Sequence, residues 1–369
     1  MFDEVVKDAS GGNKKTLKSD FLDKGEFVIV DQGQSKIAGY TNNKELLVKE
    51  LPPYVVFGDH TRAFKYIDVP FAMGADGTKV LKPKNRGILL EKYLYYFFLT
   101  LDIPNTGYNR HFKYLKELKI PLPSIAEQQK IAAILDAADS LRQKDQQLVE
   151  RYTALSQSLF LEMFGDNKKP KVALSSLCEI NPKKSEIVSL SKTTEVSFVP
   201  MAKVSEDGEV DLSESRALAD VWAGFTYFAE GDVVFAKITP CMENGKGGIM
   251  RGLKNRIGFG TTEFHVLRPM QKETTSEWLY YLTKQKAFRE NAEKNMTGSA
   301  GQKRVPTHFF DMYTVSIPSF EDQNQFAEHN QLIEAQKQQA QQSLTKSEAL
   351  FNSLLQRAFT GELTAKLVA

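Results

Sequence analysis

The sequence predicts an α+β protein in which two pseudo-repeated mixed α/β globules are joined by two long antiparallel helices, with an approximate two-fold relation between the halves. Three observations predict it. The stretch from Pro123 to Gly165 occurs again from Pro318, and one constant offset carries Pro123 onto Pro318, Gln128 onto Gln323, Leu159 onto Leu354, Phe164 onto Phe359 and Gly165 onto Thr360 without a gap. Neither copy contains proline or glycine between its first turn and its end. The segments that precede the two copies also match, strand for strand.

Taken in order, residues 1–123 read as a first globule of short strands. GEFVIVDQGQSKIAGYT, LPPYVVFGDHTRAF and FAMGADGTKVLKP are β-branched and aromatic runs cut by Gly, Pro, Asp and Asn, and EKYLYYFFLTL follows as a short apolar helix. Residues 124–165 are the first long helix. Residues 166–318 form a second globule in the same order, with FVPMAKV, GDVVFAKITPC and IGFGTTEFHVLRP as strands and SEWLYYLTKQKAFREN as its helix. Residues 319–361 are the second long helix and 362–369 a tail. Between the globules Val55-Val56-Phe57 matches Val233-Val234-Phe235, Val80-Leu81-Lys82-Pro83 matches Val266-Leu267-Arg268-Pro269, and Thr106-Gly107 matches Thr297-Gly298. The offset drifts along this series, so loops of unlike length separate like strands. The N-terminal MFDEVV matches VALSSLCEI (Val172 to Ile180) only from partway along, which predicts a first strand that is short or completed by another segment.

Each long helix starts with an acidic turn (Glu127; Glu321 and Asp322) after a serine, where carboxylates meet the unpaired N–H groups and the positive end of the dipole. In the first, Ile131, Ile134, Ala138, Leu141, Leu148, Tyr152, Leu155 and Leu159 predict an apolar seam interrupted by Asp145; in the second, Phe326, Ile333, Ala340, Leu344, Leu350, Phe351, Leu354 and Leu355 predict another. A helix of roughly 37 to 39 residues extends about 55–58 Å at ~1.5 Å per residue, too long for the inside of one small domain. Seam-to-seam packing is the economical solution, and it places a globule at each end of a rigid spacer. Two unlike loop sets held at a fixed distance suit a long ligand with two short segments to be read, and duplex DNA is one.

The formal charge of +2 over 369 residues announces no general affinity for nucleic acid, so any basic surface is local. Two cysteines far apart, Cys178 and Cys241, predict a reducing compartment and no structural zinc. An acidic N-terminus without an apolar core, and an apolar run (Tyr93 to Leu101) too short to span a bilayer, predict a cytoplasmic protein with no membrane segment.

No catalytic constellation is visible. GADGTK and TGSAGQKR lack the spacing of a phosphate loop, and the histidines have no ligand spacing. LPPYVV has the outline of an amino-methyltransferase loop, but Leu51 cannot accept the hydrogen bond that the first position there must accept; it reads as a Pro-Pro turn entering a strand. Loops mixing basic, amide and small residues carry more information, because Arg forks onto guanine, Gln onto adenine, and Lys meets phosphate. Taken singly each is an ordinary solvated turn; their recurrence at matched places in both globules points to binding. The candidate DNA-contacting residues are Gln34, Lys36, His60, Arg62, Asn109, Arg110 and His111 in the first globule, and Lys203, Thr239, Asn244, Lys246, Ser299, Gln302, Lys303 and Arg304 in the second.

FVPMAKVSEDGEV, GDVVFAKITPCMENGK, GFGTTEFHVLRP, MTGSAGQKRV and IPSFEDQ together resemble the target-recognition domain of specificity subunits of type I restriction-modification systems, and IPLPSIAEQQKIAAILD resembles the conserved helical segment of that family. The resemblance covers nearly the whole chain. It implies a non-catalytic subunit in which each globule reads one half of an asymmetric bipartite site on double-stranded DNA, with the helices as spacer and as docking surface for two methyltransferase subunits. Those partners would use S-adenosylmethionine, and restriction endonuclease/translocase subunits, where present, ATP with Mg2+; the chain itself would need no cofactor and no metal. Two other classes fit less well: a free-standing, diverged adenine methyltransferase, which the missing motifs disfavour, and a coiled-coil adaptor that binds protein only, which sequence-dependent duplex binding would remove.

Overall fold

The structure, a computed structural model, describes residues 1–365 apart from Ala75, Tyr108, 166–169 and Ala300. Ala75, Tyr108 and Ala300 sit within three of the loops read above, and they and the tail beyond 365 lie outside the described residues. The chain folds as two compact units, Met1–Gln146 with the stretch from Gln342, and Gln147–Gln341. Each unit thus holds one globule and one half of each long helix.

In the first unit Val6–Asp8, Thr78–Pro83, Tyr54–Gly58 and Phe64–Ile67 form an antiparallel sheet in that order. In the second, Cys178–Ile180, Phe264–Pro269, Val233–Ala236 and Gly247–Ile249 repeat it. Register is repeated as well: Val55 faces Leu81 and Val56 faces Val80, just as Val233 faces Leu267 and Val234 faces Val266. A further sheet pairs Phe27–Val30 in parallel with Phe71–Met73 and antiparallel with Gly39–Thr41; Glu195–Val199 pairs likewise with Ile257–Gly260 and Ser215–Ala217. The second unit adds the strand Thr226–Ala229 and a ladder of Lys171–Ala173 with Thr314–Ser316, neither of which the sequence reading assigned.

Two expectations are corrected. Val6–Asp8 is as long as its counterpart Cys178–Ile180 and pairs at the same place, Val6 with Pro83 as Cys178 with Pro269, so the first strand is not shortened. The stretch SEWLYYLTKQKAFREN is two helices, Ser276–Lys284 and Lys286–Lys294. Gln285 between them has extended backbone (φ −63°, ψ 136°), a break without glycine or proline. The second helix is thereby redirected so that Phe288 and Ala292 enter the core.

The long helices run from Ile125 to Phe164 and from Phe320 to Phe359. The first begins with a capping box and the second with a serine cap. The Ser124 hydroxyl accepts from the Glu127 N–H at 3.3 Å while the Glu127 carboxylate accepts from the Ser124 N–H at 3.1 Å. Ser319 accepts from the Asp322 N–H at 3.0 Å and donates its hydroxyl proton back to that carboxylate. Within the first unit the pairing is antiparallel: Ser343 donates to Asp145 at 3.1 Å, and the Arg142 guanidinium lies 5.4 Å from the centre of the Phe351 ring. Ile131, Leu135 and Ala138 join Phe351, Leu355 and Ala358 in one core with Phe57, Leu81, Leu94 and Phe98. Within the second unit Phe160 and Phe164 each pack 5.5 Å from Phe326, beside Val233, Leu267 and Trp278.

The seam keeps its expected positions Ile131 and Ala138 on the first helix and Phe326, Ala340, Leu344, Phe351 and Leu355 on the second, but on the first helix it shifts by one residue from Ile134 to Leu135, from Leu155 to Ser156 and from Leu159 to Phe160. Its buried positions on the first helix include Ile131, Leu135, Ala138, Asp145, Ser156 and Phe160, whereas Leu141, Leu148 and Leu155 are 45%, 40% and 49% exposed. Counting from Ile134 rather than Leu135 turns the stripe by about 100° at 3.6 residues per turn. On the second helix Leu350 is likewise exposed, and Asn330, Lys337 and Ser347 are buried among Phe326, Ala340, Leu344 and Phe351. Asp145 is therefore one of several polar seam positions, not the single interruption.

One polar contact recurs in both units. Gln128 is fully buried; its carbonyl accepts from the Leu90 N–H at 2.9 Å, and its amide donates to Ile88 and Pro123 carbonyls at 2.7 and 2.9 Å. Gln323, also fully buried, accepts from the Thr275 N–H at 2.9 Å and donates to Glu273 and Pro318 carbonyls at 2.9 and 3.4 Å. Leu90 and Thr275 cap the helices Glu91–Leu99 and Ser276–Lys284. Replacing Gln128 or Gln323 by Ala strands several buried backbone groups and is expected to cost about 2–4 kcal/mol in urea unfolding. Leu148→Ala and Leu155→Ala, off the seam, are expected to stay within about 0.5 kcal/mol; a reversed ranking would restore the seam read from the sequence.

Candidate nucleic-acid interface

The strands carrying the buried Val-Val-Phe runs each feed a loop that is stitched to a later one. In the second unit the hairpin 297–304 is closed by reciprocal bonds, the Thr297 N–H to the Arg304 carbonyl at 2.9 Å and the Arg304 N–H to the Thr297 carbonyl at 2.8 Å. Gly298 and Gly301 sit at φ 122° and 80°, left-handed conformations that favour glycine, and they let the chain reverse here. On the other side the Thr239 N–H donates to the Lys303 carbonyl (3.0 Å), Val305 to Lys237 (2.9 Å) and Lys237 to Glu263 (2.9 Å). The first unit repeats this stitching. The His111 N–H donates to the Asp59 carbonyl (2.9 Å) and Asp59 to Gly77 (2.8 Å). His111 therefore occupies the place of Val305, Gly77 that of Glu263, and Arg110 that of Arg304.

Around this frame the first unit gathers several candidates. Asn109 and Arg110 are exposed on the 106–111 loop, and Arg110 lines a polar pocket of about 510 Å³ with Asn13, Lys15, Asp59, Asp76 and Lys79. The loop bearing exposed Gln34 and Lys36 is tied to that of His60, whose N–H donates to the Gln32 side chain at 3.3 Å. Arg62 turns elsewhere: at φ 63° it donates to the Ile103 carbonyl at 2.9 Å. His111 corrects the expectation of a DNA-facing side chain. It is fully buried, with Nδ1 at 2.9 Å from the Asp59 carbonyl and Nε2 at 3.3 Å from the Thr106 hydroxyl, so its ring braces the loop from inside.

In the second unit Ser299, Gln302 and Lys303 are exposed on the hairpin, and Arg304 is half-buried at its base. Thr239 joins them through its backbone, and its hydroxyl donates to Glu243 at 2.9 Å. Asn244, exposed, donates to Glu206 at 2.9 Å, and half-buried Lys246 follows on the same turn. Lys203 is engaged apart from this group, donating to Ser213 at 2.6 Å and pairing with Asp211 at 3.3 Å. LPPYVV is a structural turn whose Leu51 carbonyl accepts from Lys82 and whose Pro52 carbonyl accepts from Arg86 at 3.3 Å.

Charge is arranged with some care beneath the hairpin. Hydrogen bonds from Arg304 hold the Glu263 carboxyl below its ordinary range despite partial burial. Burial lowers Lys237. His265 lies under the same loop, its Nε2 donating to the Val305 carbonyl at 2.7 Å and its Nδ1 at 3.2 Å from the Asn181 amide; burial pushes its pKa down to about 4, so the ring is neutral.

The profile of the type I restriction modification DNA specificity domain matches residues 3–151 and again 167–345. The chain belongs to this family. Two specificity subunits from Escherichia coli are similar to it: that of the type I restriction enzyme EcoAI, 42% identical over 179 residues, and that of EcoEI, 41% identical over 181. Each match covers 48% of this chain and 30% of the relative, so the chain spans under a third of the length of the curated relatives it matches. The crystal structure of a type I system S subunit from M. genitalium shares the fold, with a TM-score of 0.53 and 16% identity over 97% of this chain and 94% of that one.

Among the residues of these specificity domains that sequence reasoning missed, Glu263 and the pocket residues Asn13, Lys15 and Asp76 stand out. They come from segments remote from the loops they face, and no local pattern signals that proximity. No described helix is long and apolar enough to cross a membrane.

His265 generates a pH prediction. Its folded pKa lies below the ordinary value of 6.5, so the unfolded chain binds the proton more readily. Stability is complete above pH 6.5 and is lost as pH falls toward about 4. Between pH 7.5 and 5 the loss should be about 2 kcal/mol, and His265→Asn should flatten it in urea unfolding at the two pH values. An unchanged slope in the variant would exclude His265 as its source.

Proposed function

We propose that the chain is the DNA-recognition subunit of a type I restriction-modification complex. The observation that carries this reading is the duplicated specificity domain, in which one backbone frame presents two differently furnished loop sets. On this reading residues 1–123 and 166–318 are the two reading domains, each for one half of an asymmetric bipartite site. Residues 124–165 and 319–361 are the helices that set the spacer and dock two methyltransferase subunits. Exposed or half-exposed side chains on the loops contact the duplex: Gln34, Lys36, His60, Asn109 and Arg110 in the first domain, and Thr239, Asn244, Lys246, Ser299, Gln302, Lys303 and Arg304 in the second. His111, turned inward, positions the loop.

The chemistry belongs to the assembly. The partner subunits would supply S-adenosylmethionine-dependent adenine methylation, and any nuclease subunit its ATP and Mg2+; this chain would be non-catalytic. Genome-wide adenine-methylation sequencing of the host with and without the gene is expected to show the loss of one bipartite motif. The purified chain with S-adenosylmethionine alone is expected to transfer no methyl group to that motif, and to support transfer once the cognate methyltransferase subunit is added. Methyl transfer by the isolated chain would favour the diverged-enzyme alternative instead. Arg110→Ala is expected to relax only one half of the motif, at a cost of about 1–3 kcal/mol if it forks onto a base.

A further inference from the structure

Arg304 is held unlike any other candidate on the loops. Its backbone is bonded in both directions to Thr297, and the neighbouring Lys303 carbonyl accepts from Thr239. Its Nε lies 3.1 and 2.9 Å from the two Glu263 carboxylate oxygens, its Nη2 lies 2.9 Å from one of them, and its Nη1 donates to the Gln302 carbonyl at 3.0 Å. Glu263 thus occupies the side-on edge of the guanidinium, the edge formed by Nε and Nη2. A guanidinium has five N–H groups. Among the described residues Nη1 and Nη2 each keep one N–H without a partner, and these two nitrogens form the end-on edge. The side chain of Arg304 is 41% exposed and that of Glu263 25%.

A partly exposed ion pair of this kind contributes little to stability. What it does is remove rotamer freedom from a planar fork before any ligand arrives. A planar fork held in this way, with a free N–H left on each terminal nitrogen, suits the O6 and N7 acceptors of guanine in the major groove; adenine offers a donor where guanine has O6, and a phosphate does not require the fixed plane. The first unit lacks the arrangement: Gly77 stands where Glu263 does, and Asp76, beside Arg110, pairs with Lys15.

We propose that Glu263 is a positioning residue that aims Arg304 at a guanine, and that this guanine belongs to the half-site read by the second domain. The inference rests on the DNA-reading function proposed above. The test is selection from a random double-stranded DNA library by the full-length chain in the complex it forms in its host, with Glu263→Gln, Glu263→Ala and Arg304→Lys beside the parent. The parent is expected to enrich a bipartite motif with a guanine in one half. All three variants should lower the preference for that guanine by about tenfold or more, leaving the other half and the salt dependence of binding unchanged. Arg304→Lys keeps the charge and serves as the control should a Glu263 variant melt early. A parent motif whose guanine survives in the folded Glu263 variants would overturn the inference alone, as would uniform weakening with a shallower salt slope, which marks a phosphate contact. A parent that enriches no bipartite motif would remove the DNA-reading function and this inference together.

Discussion

A buried amide at the root of each long helix ties the helix to its globule. Gln128 and Gln323 each accept one backbone N–H and donate to two carbonyls, one of them on the loop that enters the helix and the other just before the helix of the globule. Burying an amide is tolerable only when its hydrogen bonds are satisfied. Satisfying them fixes the angle at which two helices meet, because the partners are backbone groups of both. The aromatic cores then close around that joint, with Tyr93 and Phe97 against Phe359 in the first unit and Tyr281 against Phe160 and Phe326 in the second.

Polar seam residues extend the same logic along the helices. An all-leucine seam would permit sliding by a heptad, whereas the Asp145–Ser343 bond and the buried Asn330, Lys337 and Ser347 penalise misaligned pairings. Lys337 lies 3.8 Å from Glu334, and Glu334 in turn accepts from the Tyr281 hydroxyl at 3.0 Å, so the seam is coupled to the globule's helix.

Much of this was legible in the residues. The constant offset and the absence of helix breakers identified both long helices, and Ser124 with Glu127 and Ser319 with Asp322 marked where they start. The drifting matches Val-Val-Phe and Val-Leu-Lys-Pro located equivalent strands whose ladders carry the same register. The first helix's seam was misplaced along part of its length because Leu141, Leu148 and Leu155 repeat every seven residues as a buried stripe would, and periodicity alone does not say which of two adjacent stripes faces inward. The break at Gln285 carries no residue signal, since it is imposed by what Phe288 and Ala292 pack against. At the loops, sequence located the hairpins but not their inner partners: His111 points inward and Glu263 braces Arg304 from another strand's approach, both matters of tertiary proximity.

The gapless correspondence between the two long helices has a genetic corollary. Because equivalent residues such as Gln128 and Gln323 fall at one offset throughout, an unequal crossover anywhere between the two helix repeats keeps the reading frame and the seam phase. Such an exchange would delete or duplicate one globule together with one helix length and leave the joints at the glutamines complete. The architecture is therefore one in which a globule of unlike loops can be replaced as a cassette, with no repair needed to the scaffold that receives it.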